Sequence, residues 1–209
     1  MRTRLSRLAI TDELTGLYNR RGFLLLGSEQ MKLAQSLKKN LLLFYADLDN
    51  LKHINNRFGH AEGDRALLKT SEIFRNTFRN SDLIGRFGGD EFTALVIEEF
   101  GQSAENISRR LQDNLAEFAA SHTRYPLSLS VGMTRYAAET PASLKKLLAQ
   151  ADQALYKQKE ADPASNERNP IVMFPGSPRG FSQFGFRAPG NSISHRTNQK
   201  ARRSSKVAL

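Results

Sequence analysis

The 209 residues contain no cysteine. That excludes disulfide scaffolds, cysteine-bound zinc and thiol catalysis, and it permits a reducing compartment. Long hydrophobic runs are missing too. The longest, Leu41–Ala46 and Ala94–Ile97, are far too short to cross a bilayer. The opening MRTRLSRLAI has basic residues but no apolar stretch of the signal-peptide kind, so the expected location is cytoplasmic. Acid is missing at one end only. Residues 175–209 hold seven Lys/Arg and no Asp or Glu, so seven of the ten excess positive charges lie there and +3 remains for residues 1–174.

The rest of the composition, 39% hydrophobic and 25% charged, is that of one globular domain large enough to bury a core without a metal or disulfide staple. The segment 175–209 also carries four Gly, three Pro and six Ser. It has too little apolar surface to offset its chain entropy and reads as a basic disordered tail. Residues 1–10 read as the stub of an N-terminal helix, and 11–174 as the domain.

Within 11–174 the elements alternate. Thr11 and Asp12 are helix-start residues, and Leu24, Leu25, Met31, Leu33 and Leu37 follow loosely helical spacing. Leu41–Ala46, bounded by Asn40 and Asp47, suits a buried central strand. A second helix opens near Ala61 and carries Leu67, Ile73, Phe74 and Phe78. Two β-prone runs, 83–87 and 92–97, surround Gly88-Gly89-Asp90-Glu91 and read as a hairpin. Then come a helix over 103–121, a strand over Leu127–Thr134, a helix opened by Thr140-Pro141, and an edge strand at Ile171–Phe174. The order α-β-α-β-β-α-β-α-β describes one α/β (α+β) domain, a central mixed sheet with an antiparallel hairpin flanked by helices.

Two acidic clusters stand at strand ends, Asp47-Leu48-Asp49 and Asp90-Glu91. If the strand and the hairpin are neighbours, these carboxylates converge and call for a cation; oxygen-only donors suit Mg²⁺ or Mn²⁺. Gly88 and Gly89 remove side chains where a phosphate needs close approach. Together they suggest a nucleoside triphosphate bound through metal. Plainer readings exist: Asp49 or Asn50 as a helix cap, and Gly-Gly-Asp as turn chemistry alone. An EF-hand fails, because Lys52 stands where that loop needs Gly and Phe58 where it needs Glu.

Arg86-Phe87-Gly88-Gly89-Asp90-Glu91-Phe92 resembles the signature of GGDEF-domain diguanylate cyclases. Four further segments resemble that family in order and spacing. They are Asp12-Glu13-Leu14-Thr15-Gly16-Leu17-Tyr18-Asn19-Arg20-Arg21, Asp47 to Asn55 with Phe58-Gly59-His60 and Gly63-Asp64, Ser130-Val131-Gly132, and Ala151 to Lys159.

The resemblance implies a fold like the palm of polymerases and nucleotidyl cyclases. It also implies condensation of two GTP into cyclic di-GMP and two pyrophosphates across a homodimer. Asp47, the Leu48 carbonyl, Asp90 and Glu91 would hold two Mg²⁺ (or Mn²⁺) per site. Asp90 and Glu91, as ligands or proton acceptors, and Lys52, facing the phosphates, would be catalytic. Asn55 and Asp64 would read guanine, where an acid accepts from N1–H and N2–H₂; as a plainer reading, Asp64 is a first-turn acid serving the helix dipole. His60, Gly88 and Gly89 would lie along the nucleotide. Lys159 would bind the β- and γ-phosphates, and Arg168 would be the phosphate arginine. Here Glu160–Glu167 intervenes before Arg168, where the family has a short Gly-Arg-Asn turn. Arg79-Asn80-Ser81-Asp82 resembles the inhibitory RxxD site that holds product guanine; alternatively Arg79 and Asp82 form a surface i,i+3 ion pair worth about 0.3 kcal/mol. A catalytically silent cyclic di-GMP or GTP receptor is the competing function. The tail's interleaved Phe and Arg leave nucleic acid or an anionic membrane as a minor alternative partner.

Overall fold

The computed structural model describes residues 10–99, 103–121, 124–140 and 142–161. The expected helix stub (except Ile10), the edge strand Ile171–Phe174, Arg168 and the basic tail lie outside the described residues.

Five strands form one mixed sheet in the order β1-β3-β4-β2-β5. β1 is Tyr18–Asn19, β2 Leu41–Leu48, β3 Leu83–Arg86, β4 Glu91–Ile97 and β5 Leu129–Tyr136. β1 runs parallel to β3, and the other pairs are antiparallel. β2 lies between β4 and β5. Burial on both faces explains why Leu41–Ala46 is uninterrupted apolar sequence rather than an alternation. The expected hairpin is β3–β4, with Arg86 opposite Phe92.

Helices cover both faces. α1 (Arg20–Ser36) and α5 (Leu144–Ala161) pack on the side of Leu41, Leu43 and Tyr45. α2 (Leu51–Phe58), α3 (His60–Thr77) and α4 (Ala104–Ser121) pack on the side of Leu42, Phe44, Ala46 and Leu48. On that side Phe74 sits 5.4 Å from Phe78 and 5.3 Å from Phe92, ring centre to ring centre. Each fully buried aromatic of this kind stabilises the fold by about 1.5–3 kcal/mol.

Three helix boundaries differ from those expected. Thr11 and Asp12 do not start a helix. The Asp12 carboxylate accepts the Thr15 N–H at 2.8 Å and the Thr15 hydroxyl at 2.6 Å, closing a turn in which Gly16 takes φ +68°. The helix starts at Arg20, where Asn19 Oδ1 accepts the Gly22 N–H at 2.9 Å. Its inner face is Phe23, Gly27, Met31 and Ala34, and Leu25, Leu33 and Leu37 are exposed. The helix expected from Ala61 begins at His60 and is preceded by a separate one, α2; Gly59, at φ +88°, breaks the two apart. α5 is opened by Ser143, whose Oγ accepts the Lys146 N–H at 3.2 Å, and not by Thr140, whose N–H closes a turn onto Ala137.

Candidate active site

Asp47 stands near the end of β2, opposite Glu91 of β4 and Ser130 of β5. Paired residues of an antiparallel ladder share a face, so the Asp47 and Glu91 side chains leave the sheet on one side. Leu48, buried, donates its N–H to the Asp90 carbonyl at 2.9 Å and ties the strand end to the hairpin turn. From the last turn of α5, Lys159 Nζ lies 2.8 Å from Asp47 Oδ1. Burial pushes the Asp47 carboxyl up; the Lys159 hydrogen bond and charge oppose that, and the Asp90 and Asp49 charges add to it, leaving a net rise.

Asp49 is not a helix cap. Buried, it accepts the Ser130 hydroxyl at 2.7 Å and gives its N–H to Ser128 at 3.0 Å, so it fastens β2 to β5. Asn50 precedes α2 in left-handed backbone, φ +60°, and its side chain makes no capping bond.

Tyr45 lies two residues before Asp47 on the same face and is hydrogen-bonded to Glu91. Burial, followed by the charge and hydrogen bond of Glu91, raises the phenol well above its usual range. A Cβ on Gly88 would come within 2.9 Å of Glu91 Oε2, whereas one on Gly89 would meet nothing within 4 Å. Neither glycine takes left-handed backbone, so turn geometry does not demand either.

The expected guanine residues come together at the α2–α3 junction. A side chain on buried Gly63 would run into Asn55 Oδ1, so Asn55 packs directly against the residue preceding Asp64. Lys52, His60 and Asp64 are exposed. The first-turn acid of α3 is Glu62 rather than Asp64, which removes the helix-dipole reading of Asp64. Glu62 Oε2 takes Arg65 at 2.9 Å and Arg124 at 3.2 Å, and Oε1 takes the Tyr125 hydroxyl at 3.1 Å. Burial alone would raise the Glu62 carboxyl; the Tyr125 and Arg65 hydrogen bonds and the Arg65 and Arg124 charges outweigh it and hold it low.

Arg79 and Asp82 close a reciprocal turn instead of an ion pair. Arg79 N–H donates to Asp82 Oδ2 at 2.8 Å, and Asp82 N–H donates to the Arg79 carbonyl at 2.9 Å. The Arg79 guanidinium is 3.9 Å from Glu99. Burial raises the Asp82 carboxyl against the opposing pull of Arg79 and of Arg110 from α4. Arg110 keeps Nε and Nη2 buried with no hydrogen-bond partner.

Sequence reasoning missed Tyr45, Arg110 and the ion pair of Asp12 with Arg86 at 3.1 Å, which clips the opening turn to the hairpin. Tyr45 was findable, since it shares a strand face with Asp47 by the two-residue period. Nothing in the sequence pointed to Arg110.

Among the described residues, no group of three or more Asp, Glu or His side chains is close enough to hold a metal. Also among them, no helix is long and apolar enough to cross a membrane.

The family model described as "Diguanylate cyclase, GGDEF domain" matches residues 9–164. The diguanylate cyclase DgcP of Escherichia coli K12 is 33% identical over 168 residues, covering 79% of this chain and 48% of that protein. The chain thus spans less than half of that relative, and 26% of the uncharacterised Bacillus subtilis protein YtrP. A solved microbial GGDEF domain, studied for its interaction with cyclic di-GMP, superposes with a TM-score of 0.68 at 32% identity, covering 81% of this chain and 99% of the other. The coiled coil and GGDEF domain of Caulobacter crescentus DgcB, with cyclic di-GMP, gives a TM-score of 0.71 at 22% identity, covering 82% and 89%, a likeness of fold. Sheet, helices and acidic strand ends define the class first: an α+β domain of the nucleotidyl-cyclase palm type. The chain belongs to the GGDEF-domain family.

Proposed function

We propose that this chain is a diguanylate cyclase, which joins two GTP into cyclic di-GMP and releases two pyrophosphates. One observation carries the reading: Asp47 stands opposite Glu91 in register while the Leu48 N–H holds Asp90 beside them. The donors fit a hard divalent cation, Mg²⁺ or Mn²⁺, because such ions take one or two protein carboxylates and complete their shell with phosphate oxygens. Asp47, whose charge the neighbouring Asp90 disfavours, would hold it together with Asp90, with the Leu48 carbonyl as a further donor. When bound, the cation lowers the pKa of the ribose 3′-hydroxyl and neutralises the leaving pyrophosphate.

The chain's own residues do the rest. Asn55 and Asp64 read the guanine edge, with His60 beside the nucleotide. Lys159 leaves Asp47 for the β- and γ-phosphates, joined by Arg168. Lys52 stabilises charge on the α-phosphate. Gly89, facing open space, admits the phosphates, and Gly88 leaves room for Glu91. Asp90 takes the 3′-hydroxyl proton, and Glu91, hydrogen-bonded by Tyr45, would support the metal's charge when it is bound. Each copy binds one GTP, so two copies face each other in a homodimer. Arg79 and Asp82 hold the product as inhibitor, and the unpartnered N–H groups of Arg110 beside them favour an acceptor-rich ligand there.

The test is turnover of GTP with Mg²⁺ by the purified chain, product separated by chromatography. Cyclic di-GMP from the wild type, and at least about a hundredfold less from Asp90→Asn, is the expected result. Product binding without turnover would establish the silent receptor instead.

A further inference from the structure

Tyr45 of β2 is 8% exposed, a buried polar side chain on the strand that carries Asp47. It faces Thr93 of β4, two residues along from Glu91, and Glu91 in turn faces Asp47. Tyr45 and Glu91 are therefore diagonal neighbours on one face of the ladder, a spacing that an aromatic and a long side chain bridge. The phenol is bonded to Glu91 across that diagonal. A neutral phenol donates to a carboxylate, which only accepts. Arg20 and Asp152 act on the same phenol through charge, with opposite sign, and Glu91 is the one of the three that also takes its hydrogen bond.

Both ends of that bond are held. The Tyr45 ring meets Phe87 edge-on at 5.9 Å, and Phe87 meets Phe23 of α1 edge-on at 5.1 Å, so core packing fixes the hydroxyl. At the other end, Glu91 Oε2 lies where a Cβ on Gly88 would come within 2.9 Å. The carboxylate is thus confined between the phenol and the bare Cα of Gly88. A carboxylate ordered before a cation arrives loses less freedom on meeting it. A phenylalanine would fill the same core space, so the bond to Glu91 is what the hydroxyl adds.

We propose that Tyr45 is a positioning residue for the metal site: its hydroxyl orients Glu91 beside Asp47 and Asp90 and so sets how tightly the site takes a divalent cation. The inference rests on the diguanylate cyclase reading. Tyr45 acts through Glu91 and not on the nucleotide, so it governs the cation and leaves the recognition of GTP to other residues.

The full chain is compared with Tyr45→Phe, Glu91→Gln and the double variant, each with a GTP analogue bearing a methylene bridge between the α- and β-phosphorus. Mn²⁺ is titrated in, and the free ion is read by electron paramagnetic resonance. Tyr45→Phe should weaken Mn²⁺ binding about tenfold, as loss of a bond that orients a metal's carboxylate does. Glu91→Gln should weaken it at least as much, and the double variant no further than Glu91→Gln alone, because the two residues act as a unit. With GTP and Mg²⁺, Tyr45→Phe should need about tenfold more Mg²⁺ for half-maximal turnover, while KM for GTP at saturating Mg²⁺ stays within about twofold of wild type. The role of Tyr45 is overturned if Tyr45→Phe takes Mn²⁺ within about twofold of wild type, even where its melting temperature falls. It is overturned too if its loss adds in full to that of Glu91→Gln, or if KM for GTP rises in step. Wild type that takes up neither Mn²⁺ nor analogue overturns the cyclase reading instead.

Discussion

Asp47 sits where burial, Asp90 and Asp49 all disfavour its charge and Lys159 alone favours it. Its carboxyl keeps a proton to higher pH in the fold than in the unfolded chain. The stability it contributes is therefore present at low pH and lost as pH rises through the ordinary carboxylate range to the folded value. Asp47→Asn should raise the melting temperature at pH 7 by on the order of 2 °C, with no gain in acid, while abolishing the proposed cyclase activity; calorimetry at two pH values checks it. Asp12 behaves oppositely. Burial raises its carboxyl, but the two Thr15 hydrogen bonds and Arg86 outweigh burial and leave it low. Its contribution is present above the unfolded carboxylate value and lost as pH falls through the folded one. Asp12→Ala should cost about 1–2 kcal/mol at pH 7 in urea unfolding, with the difference shrinking in acid.

Two glycines carry the geometry between elements. A methyl on Gly132 would strike the Ala151 carbonyl, so β5 and α5 touch backbone to backbone. Gly132→Ala should destabilise the domain by about 2 kcal/mol or more and draw Lys159 away from Asp47; the unfolding midpoint and the Asp47 titration seen by carbon NMR report both. Gly63→Ala is more selective. Alanine favours a helix interior over glycine by about 1 kcal/mol, yet its methyl needs the space of Asn55 Oδ1. Stability should hold while affinity for the GTP analogue falls about tenfold. The strands were legible because β2 is apolar throughout and the hairpin runs flank Gly88-Gly89. The helix ends were less so. Asp12 is a strong cap by type, but its carboxylate closes onto Thr15, and no local pattern separates that turn from a cap. Leu25, Leu33 and Leu37 pulled the expected face of α1 outward, where Gly27 and Ala34 pack the inner one. Of the site, the acids, glycines and lysines were legible as motif residues and Tyr45 through the strand period it shares with Asp47, while Arg110 enters through tertiary packing alone.

For the whole molecule, the proposed homodimer makes turnover depend on encounter: specific activity at saturating GTP should rise with protein concentration and level off. Arg79→Ala and Arg110→Ala should each weaken inhibition by added cyclic di-GMP at least about tenfold without lowering the initial rate, as progress curves would reveal. The pairing of Lys159 with Asp47 also bears on how the chain comes to its fold. The two residues are 112 positions apart, and the Asp49–Ser130 bond closes 81. Contacts of such separation form slowly, because loop entropy is lost before they repay it. The acidic strand end thus stays without its lysine until α5 has docked. A nascent chain released short of α5 would keep the hairpin and lose the counter-charge, so the centre proposed for chemistry is the last part of the domain to mature.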